Sequence, residues 1–252
     1  MVPGINRFRA HFAGLEDSYA LIGGAACSQV LEEVGLGFRA TIDLDMVLCV
    51  EVVEGKFAQA LKAFLDDGGY KARERAEGRR EFYRFHRPQN KNYPMMLELF
   101  STCTNILDLE DGDELGTVPV TDDVLSLSAI LLDPDYYAAL VASRRLIDGV
   151  HVLDETLLIP FKARAFVDLT IKRTNGDKSI KRYDIKKHRN DVFRLMQLLS
   201  PDQKVDVAEP LKTDLRSYIG LVKDIQTFDP RAFQVPLTRD EGLKLLTTVY
   251  DL

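Results

Sequence analysis

At 252 residues, with 46% hydrophobic and 29% charged side chains, the chain is long enough to bury a substantial core, as one large domain or two small ones. No apolar run approaches the roughly 18 residues needed to span a bilayer, and the opening Met-Val-Pro-Gly-Ile-Asn-Arg-Phe-Arg lacks the apolar segment of a signal peptide, so the expectation is a cytoplasmic protein with no membrane partner. Cys27, Cys49 and Cys103 are odd in number and widely spaced, which excludes a paired zinc pattern and predicts free thiols.

In chain order, residues 6–17 can form a helix, Tyr19 to Ile22 a short strand, and Ala25 to Val34 a helix ended by Gly35. Thr41 to Val52 reads as an apolar strand interrupted by two acids. Apolar residues at helical spacing from Phe57 stop at Gly68-Gly69, and Tyr70 to Arg75 with Glu81 to His86 suggests a hairpin turning near Gly78. The strand Pro94 to Phe100 follows. Asp108 to Gly116 is an acidic loop, and Leu125 to Leu132 fits either a strand or a short helix. Beyond about Gly149 the pattern becomes helical, over Thr156 to Val167, Ile185 to Leu199, Leu211 to Ile225 and Thr238 to Tyr250. Ser200-Pro201-Asp202 and Thr238-Arg239-Asp240-Glu241 serve as start signals, and Arg173 to Lys178 as a polar turn. The expected class is α+β, with a mixed domain over 1–149 and a helical domain over 150–252.

The chemistry-bearing residues concentrate between Leu21 and Val47. Gly23 and Gly24 lie where a strand gives way to a helix. A helix N-terminus offers unpaired N–H groups, and glycine allows close backbone approach, so the pair can cradle a phosphate. Twenty residues on, Asp43 and Asp45 are two apart in a strand and share one face, with Ile42, Leu44 and Met46 expected on the other. Mg²⁺ is usually held by one or two carboxylates plus substrate phosphates, which suits such a pair. Glu98 is a lone acid in an apolar strand, a costly burial unless it faces a cation. If the two strands pair, three acids can converge on two ions about 3.5–4 Å apart. The net charge of −6 is unevenly spread: Ile171 to Arg194 carries nine Lys or Arg against Asp177, Asp184 and Asp191, a footprint for nucleotide or RNA phosphate.

Gly23-Gly24 after a strand, then Arg39-x-Thr41-x-Asp43-x-Asp45, then an acid on a later strand, resembles the nucleotidyltransferase superfamily that includes DNA polymerase beta. A second block, Val152 to Ala165 with Lys162, followed by Lys187-His188-Arg189-Asn190-Asp191-Val192, resembles the AbiEii-type nucleotidyltransferase toxins. The resemblance covers short blocks over roughly residues 20–200. Two departures stand out: Ala25 occupies a position where many members have a hydroxyl, so that contact to phosphate is either missing or supplied by Ser28, and Lys187 and Asp191 are spaced more loosely than usual.

The resemblance implies a nucleotidyltransferase fold, Mg²⁺ or Mn²⁺ on Asp43, Asp45 and Glu98, and transfer of a nucleoside monophosphate from an NTP to an acceptor hydroxyl. Gly23, Gly24, Arg39, Thr41, Lys162, Lys187 and Asp191 would serve the nucleotide. It further implies RNA or tRNA as an acceptor and a role as the toxin of a toxin-antitoxin pair in phage defence, with a cognate antitoxin as partner. Two other readings remain open on the residues: transfer to a small molecule or a protein, and a non-catalytic nucleotide-binding module.

Overall fold

The computed structural model describes residues 2–48, 55–76, 81–101, 116–117 and 133–252. The first helix, α1 (Ile5–His11), is shorter than its periodicity suggests. It stops because Gly14 takes a left-handed φ of +85° and donates its N–H to the Glu16 carboxylate, opening a 3-10 turn at Glu16–Ser18. Strand β1 (Tyr19–Leu21), helix α2 (Gly23–Glu33), strand β2 (Asp43–Leu48) and helix α3 (Gly55–Gly68) follow. Next come the strands β3 (Tyr70–Ala76), β4 (Glu81–Pro88), β5 (Met96–Ser101) and the short β6 (Gly116–Thr117). The expected hairpin is present as antiparallel β3 and β4, while its turn at Gly78 lies outside the described residues. So do the strand expected beyond Leu48, the loop 108–115 and the segment 125–132.

Helix α4 (Pro134–Ala142) and the strands β7 (Arg144–Ile147) and β8 (Val150–Leu153) precede four longer helices. These are α5 (Glu155–Thr174), α6 (Arg182–Met196), α7 (Glu209–Lys223) and α8 (Arg239–Tyr250). Among the described residues the strands form one mixed sheet in the order β6-β3-β4-β5-β2-β1-β8-β7. The class is α+β.

The described residues divide into two compact units. One takes the chain up to residue 117 together with Arg144–Leu153; the other takes 133–143 and Asp154–Leu252. A single break after 149 therefore does not describe the chain, because β8 returns to pair in parallel with β1, placing Val152 opposite Leu21. In the first unit, Phe8, Phe12, Tyr19, Phe57 and Phe64 form a solvent-excluded aromatic cluster that fixes α1 and α3 against each other, with ring centroids 4.5–6.3 Å apart.

The second unit is helical. Its last helix begins with a full capping box, in which Thr238 accepts from the Glu241 N–H and Glu241 accepts from the Thr238 N–H, as its sequence predicts. Ser200-Pro201-Asp202 instead forms a turn, and α7 begins at Glu209 with Pro210 in its first turn. Pro160 sits inside α5, where it cannot donate to the Thr156 carbonyl one turn back. The buried Tyr250 hydroxyl donates to that carbonyl at 2.7 Å, replacing the missing bond. Among the described residues no helix is long and apolar enough to cross a membrane.

Candidate functional site

The site is built in the first unit, on the row where β4, β5 and β2 run side by side. Parallel pairing of β2 with β5 sets Asp45 opposite Glu98 and Asp43 opposite Met96. Antiparallel pairing of β5 with β4 sets Glu98 opposite Arg84 and Met96 opposite His86. Directly opposed residues share a sheet face, so Arg84, Glu98 and Asp45 form one charged row, with His86, Met96 and Asp43 in the next. Leu44, Met46, Tyr83, Phe85, Leu97 and Leu99 are buried on the reverse face. Ile42, expected among them, precedes the strand and is 53% exposed.

The electrostatics of the row are unbalanced. The Arg84 Nε and a terminal guanidinium nitrogen both donate to Glu98 Oε1, at 2.8 and 2.7 Å, and both side chains are largely enclosed. Burial, then the adjacent Asp45 charge and a hydrogen bond to Asp45, push the Glu98 carboxyl up to about 9, and Arg84 opposes the shift. A hydrogen bond between two carboxyls needs a proton on one of them. A divalent cation could take that proton's place.

The glycine pair abuts the same row. Helix α2 starts at Gly23, two residues earlier than its apolar pattern suggests, so the pair forms the first helical turn itself. Its N-cap, Ile22, has no side-chain acceptor to offer those N–H groups. The Ile22 N–H donates to the Asp45 carbonyl at 2.9 Å, which locks the helix start to β2. Gly23 has φ of +64°, and a Cβ there would collide with Asp45 Oδ2. A Cβ on Gly24 would fall 2.6 Å from Thr41 Oγ1. The backbone therefore approaches the carboxylate more closely than any other residue type would allow.

Gly23, Gly24, Thr41, Asp45 and Glu98 are thus brought together with Asp43 one row away, and Arg39 stacks over the Phe38 ring at 4.9 Å just upstream. Ser28 does not extend the phosphate cradle in this structure. It is buried in α2 and donates to Glu32 Oε1 at 2.7 Å. Cys27 is a buried thiol; Cys49 and Cys103 lie outside the described residues.

Lys162, Lys187 and Asp191 belong to the second unit. Asp191 is fully buried, with Lys162 Nζ at 4.0 Å and an Arg194 guanidinium nitrogen at 3.0 Å, so its charge is met by two cations from α5 and α6. Lys187 is half-buried on α6. Within the same unit Arg164 meets Asp133 at 3.0 Å and Asp214 at 3.5 Å, and Tyr136 donates to Asp214 at 2.8 Å.

Among the described residues no three His, Cys, Asp or Glu side chains are gathered as a preformed metal cage. The donors present fit a different kind of site, in which two or three carboxylates hold part of a Mg²⁺ or Mn²⁺ shell and substrate oxygens supply the rest. Arg84 went unnoticed in the sequence. Its signal is faint, an arginine between two aromatics in a predicted hairpin strand, and its meaning depends on register with Glu98.

No family model matches the chain, and no curated relative does. Among solved structures, an antigenic nucleotidyltransferase-like protein from Paracoccidioides brasiliensis aligns over 92% of this chain and 85% of its own, with 18% identity and a TM-score of 0.44.

Proposed function

We propose that the protein is a metal-dependent nucleotidyltransferase that moves a nucleoside monophosphate from an NTP to an acceptor hydroxyl. The observation that carries this reading is the closeness of the Gly23-Gly24 helix start to Asp45, whose register partner is Glu98. Uncapped N–H groups and excess carboxylate side by side are what a triphosphate and its cation need together.

In this reading the Gly23 and Gly24 N–H groups hold the β and γ phosphates. Asp43 and Asp45 would hold Mg²⁺ or Mn²⁺, with Glu98 completing the set, and the cation would neutralise the leaving pyrophosphate and polarise the α-phosphate. The acceptor oxygen bonds to the α-phosphorus as the bond to the α–β bridging oxygen breaks. Pyrophosphate departs, and the acceptor proton passes to Glu98, whose own proton a bound cation would already have displaced.

RNA is the acceptor favoured by the second unit. Lys178, Lys181, Arg182 and Lys186 are exposed there, with Tyr183 67% exposed among them as a stacking surface. A toxin acting on RNA in phage defence, restrained by a cognate antitoxin, is the physiological setting we propose. The test is incubation with each α-labelled NTP, Mg²⁺ and total RNA, beside an Asp43→Ala, Asp45→Ala double variant. Label on RNA with the wild type alone is the expected result. Label on protein would redirect the acceptor, and no transfer with any NTP would refute RNA as acceptor, leaving a small-molecule acceptor or a binding module.

A further inference from the structure

Resting on the nucleotidyl-transfer reading above, with RNA as acceptor, we infer that Met96 and His86 form the platform for the acceptor's terminal nucleoside, whose base lies over the Met96 thioether and against the His86 ring.

Strand order fixes the sequence of groups across the functional face of the sheet. The Gly23-Gly24 turn continues from β1 and abuts Asp45 and Thr41; Met96 lies on β5, on the other side of β2, and His86 lies beyond it on β4. Met96 is the register partner of Asp43 on one side and of His86 on the other. With strands about 4.8 Å apart, Met96 stands about 5 Å and His86 about 10 Å to the side of Asp43, away from the glycines. In-line displacement sets the attacking and leaving oxygens on opposite sides of the α-phosphorus. A triphosphate whose β and γ phosphates rest on the glycine turn releases pyrophosphate toward β1, so the acceptor oxygen arrives from the side of β5 and β4. Met96 and His86 line that side.

Their residue types suit a base. Leu97 and Phe85, the next residues along each strand, are buried on the reverse face, whereas Met96 and His86 are half-buried on the functional one. Met96 therefore fills no core, and a soft thioether is a poor ligand for Mg²⁺. Sulfur packs well against an aromatic ring, and an imidazole stacks on a nucleobase. The row thus runs from a carboxylate that serves the reacting centre to an apolar and then a flat polar surface, which is the order in which a nucleoside presents its hydroxyl and its base.

The experiment measures transfer of α-labelled NTP with total RNA as the varied acceptor, for wild type, Met96→Ala, His86→Ala and His86→Phe. Each alanine variant is expected to raise the half-saturating RNA concentration about tenfold while the KM for NTP stays within about twofold of wild type. His86→Phe keeps a flat ring and is expected to saturate with RNA as wild type does. An unchanged RNA requirement in either alanine variant, or an equal rise in the KM for NTP, would overturn the inference. Hydroxyl-radical footprinting of the wild type decides the matter even where a variant fails to fold. Oxidation of Met96 should fall with total RNA and should not fall with a non-hydrolysable NTP and Mg²⁺. Protection by the NTP, or none by RNA, would overturn the platform. Failure of the underlying reading looks different: the wild type would move no label to RNA, or the Asp43→Ala, Asp45→Ala double variant would move as much, and the platform would fall with it.

Discussion

Two groups of buried charges invite comparison. In the second unit, fully buried Asp191 is met by Lys162 and Arg194, two cations for one acid. In the first, Glu98 and Asp45 lie side by side with one guanidinium, Arg84, on Glu98 and Asp43 a row away. In the first arrangement, the buried carboxylate finds its cations within the protein. In the second, carboxyls outnumber the cation, and Glu98 holds its proton up to about 9 beside Asp45, the arrangement on which the proposed metal site rests. Burial of charge alone does not separate the two. The local balance of charge does.

The largest expected effect removes the acid from the first cluster. Asp191→Ala strands the buried Lys162 and the partly buried Arg194, and should lower unfolding free energy by about 3–5 kcal/mol in urea denaturation. A loss below about 1 kcal/mol would mean that the two cations find solvent, and the contrast between the sites would collapse.

Asp45→Asn should behave in the opposite way. It keeps an oxygen that can accept from the Glu98 carboxyl while removing a charge from an enclosed site, so the metal-free protein should be as stable as wild type or more so, while nucleotidyl transfer falls by about a thousandfold. Unfolding curves and transfer rates on one preparation decide it; a strongly destabilised variant would place Asp45 with Asp191 as a structural acid.

Next comes the pH dependence of the metal-free protein. Glu98 in the folded chain is raised from 4.5 to about 9, so between those values the unfolded state has released a proton that the folded state retains. The unfolded state therefore binds fewer protons, and stability from this group is present at low pH and is lost as pH rises from about 4.5 toward 9, at up to roughly 1 kcal/mol per pH unit. Melting temperature across that window should fall in wild type and stay flatter in Glu98→Gln. Saturating Mg²⁺ should flatten the wild-type profile too.

The smallest effect tests a neutral contact as a baseline. Tyr250→Phe removes the hydroxyl that serves the Thr156 carbonyl left unpaired by Pro160, and should cost about 1–2 kcal/mol with no change in transfer. If transfer falls as well, the effect of Tyr250 is not confined to stability.

Much of the local order was legible along the chain because it depends on near neighbours. The Thr238 to Glu241 capping box, the stop at Gly68-Gly69, the alternation through Leu44 and Met46 and the strand around Glu98 all follow from periodicity or from backbone chemistry within a few residues. Gly23, Gly24, Asp43, Asp45 and Glu98 stood out as candidates along the chain too, since a glycine pair before a helix and acids within apolar strands are unusual wherever they fold. Their grouping was not. Sequence alone determined which residues were candidates for phosphate or a cation, and the local periodicity of segments such as α3, α5 and the strands around Asp45 and Glu98. Tertiary structure decided that β5 pairs with β2 in the register that opposes Glu98 to Asp45, that Arg84 claims one oxygen of Glu98, and that Asp191 is committed to Lys162 and Arg194. It also decided that β8 rejoins the first unit beside β1. Strand register and long-range charge pairing are fixed by the packing of whole faces, and a one-residue slip would turn every one of these side chains to the other side of the sheet.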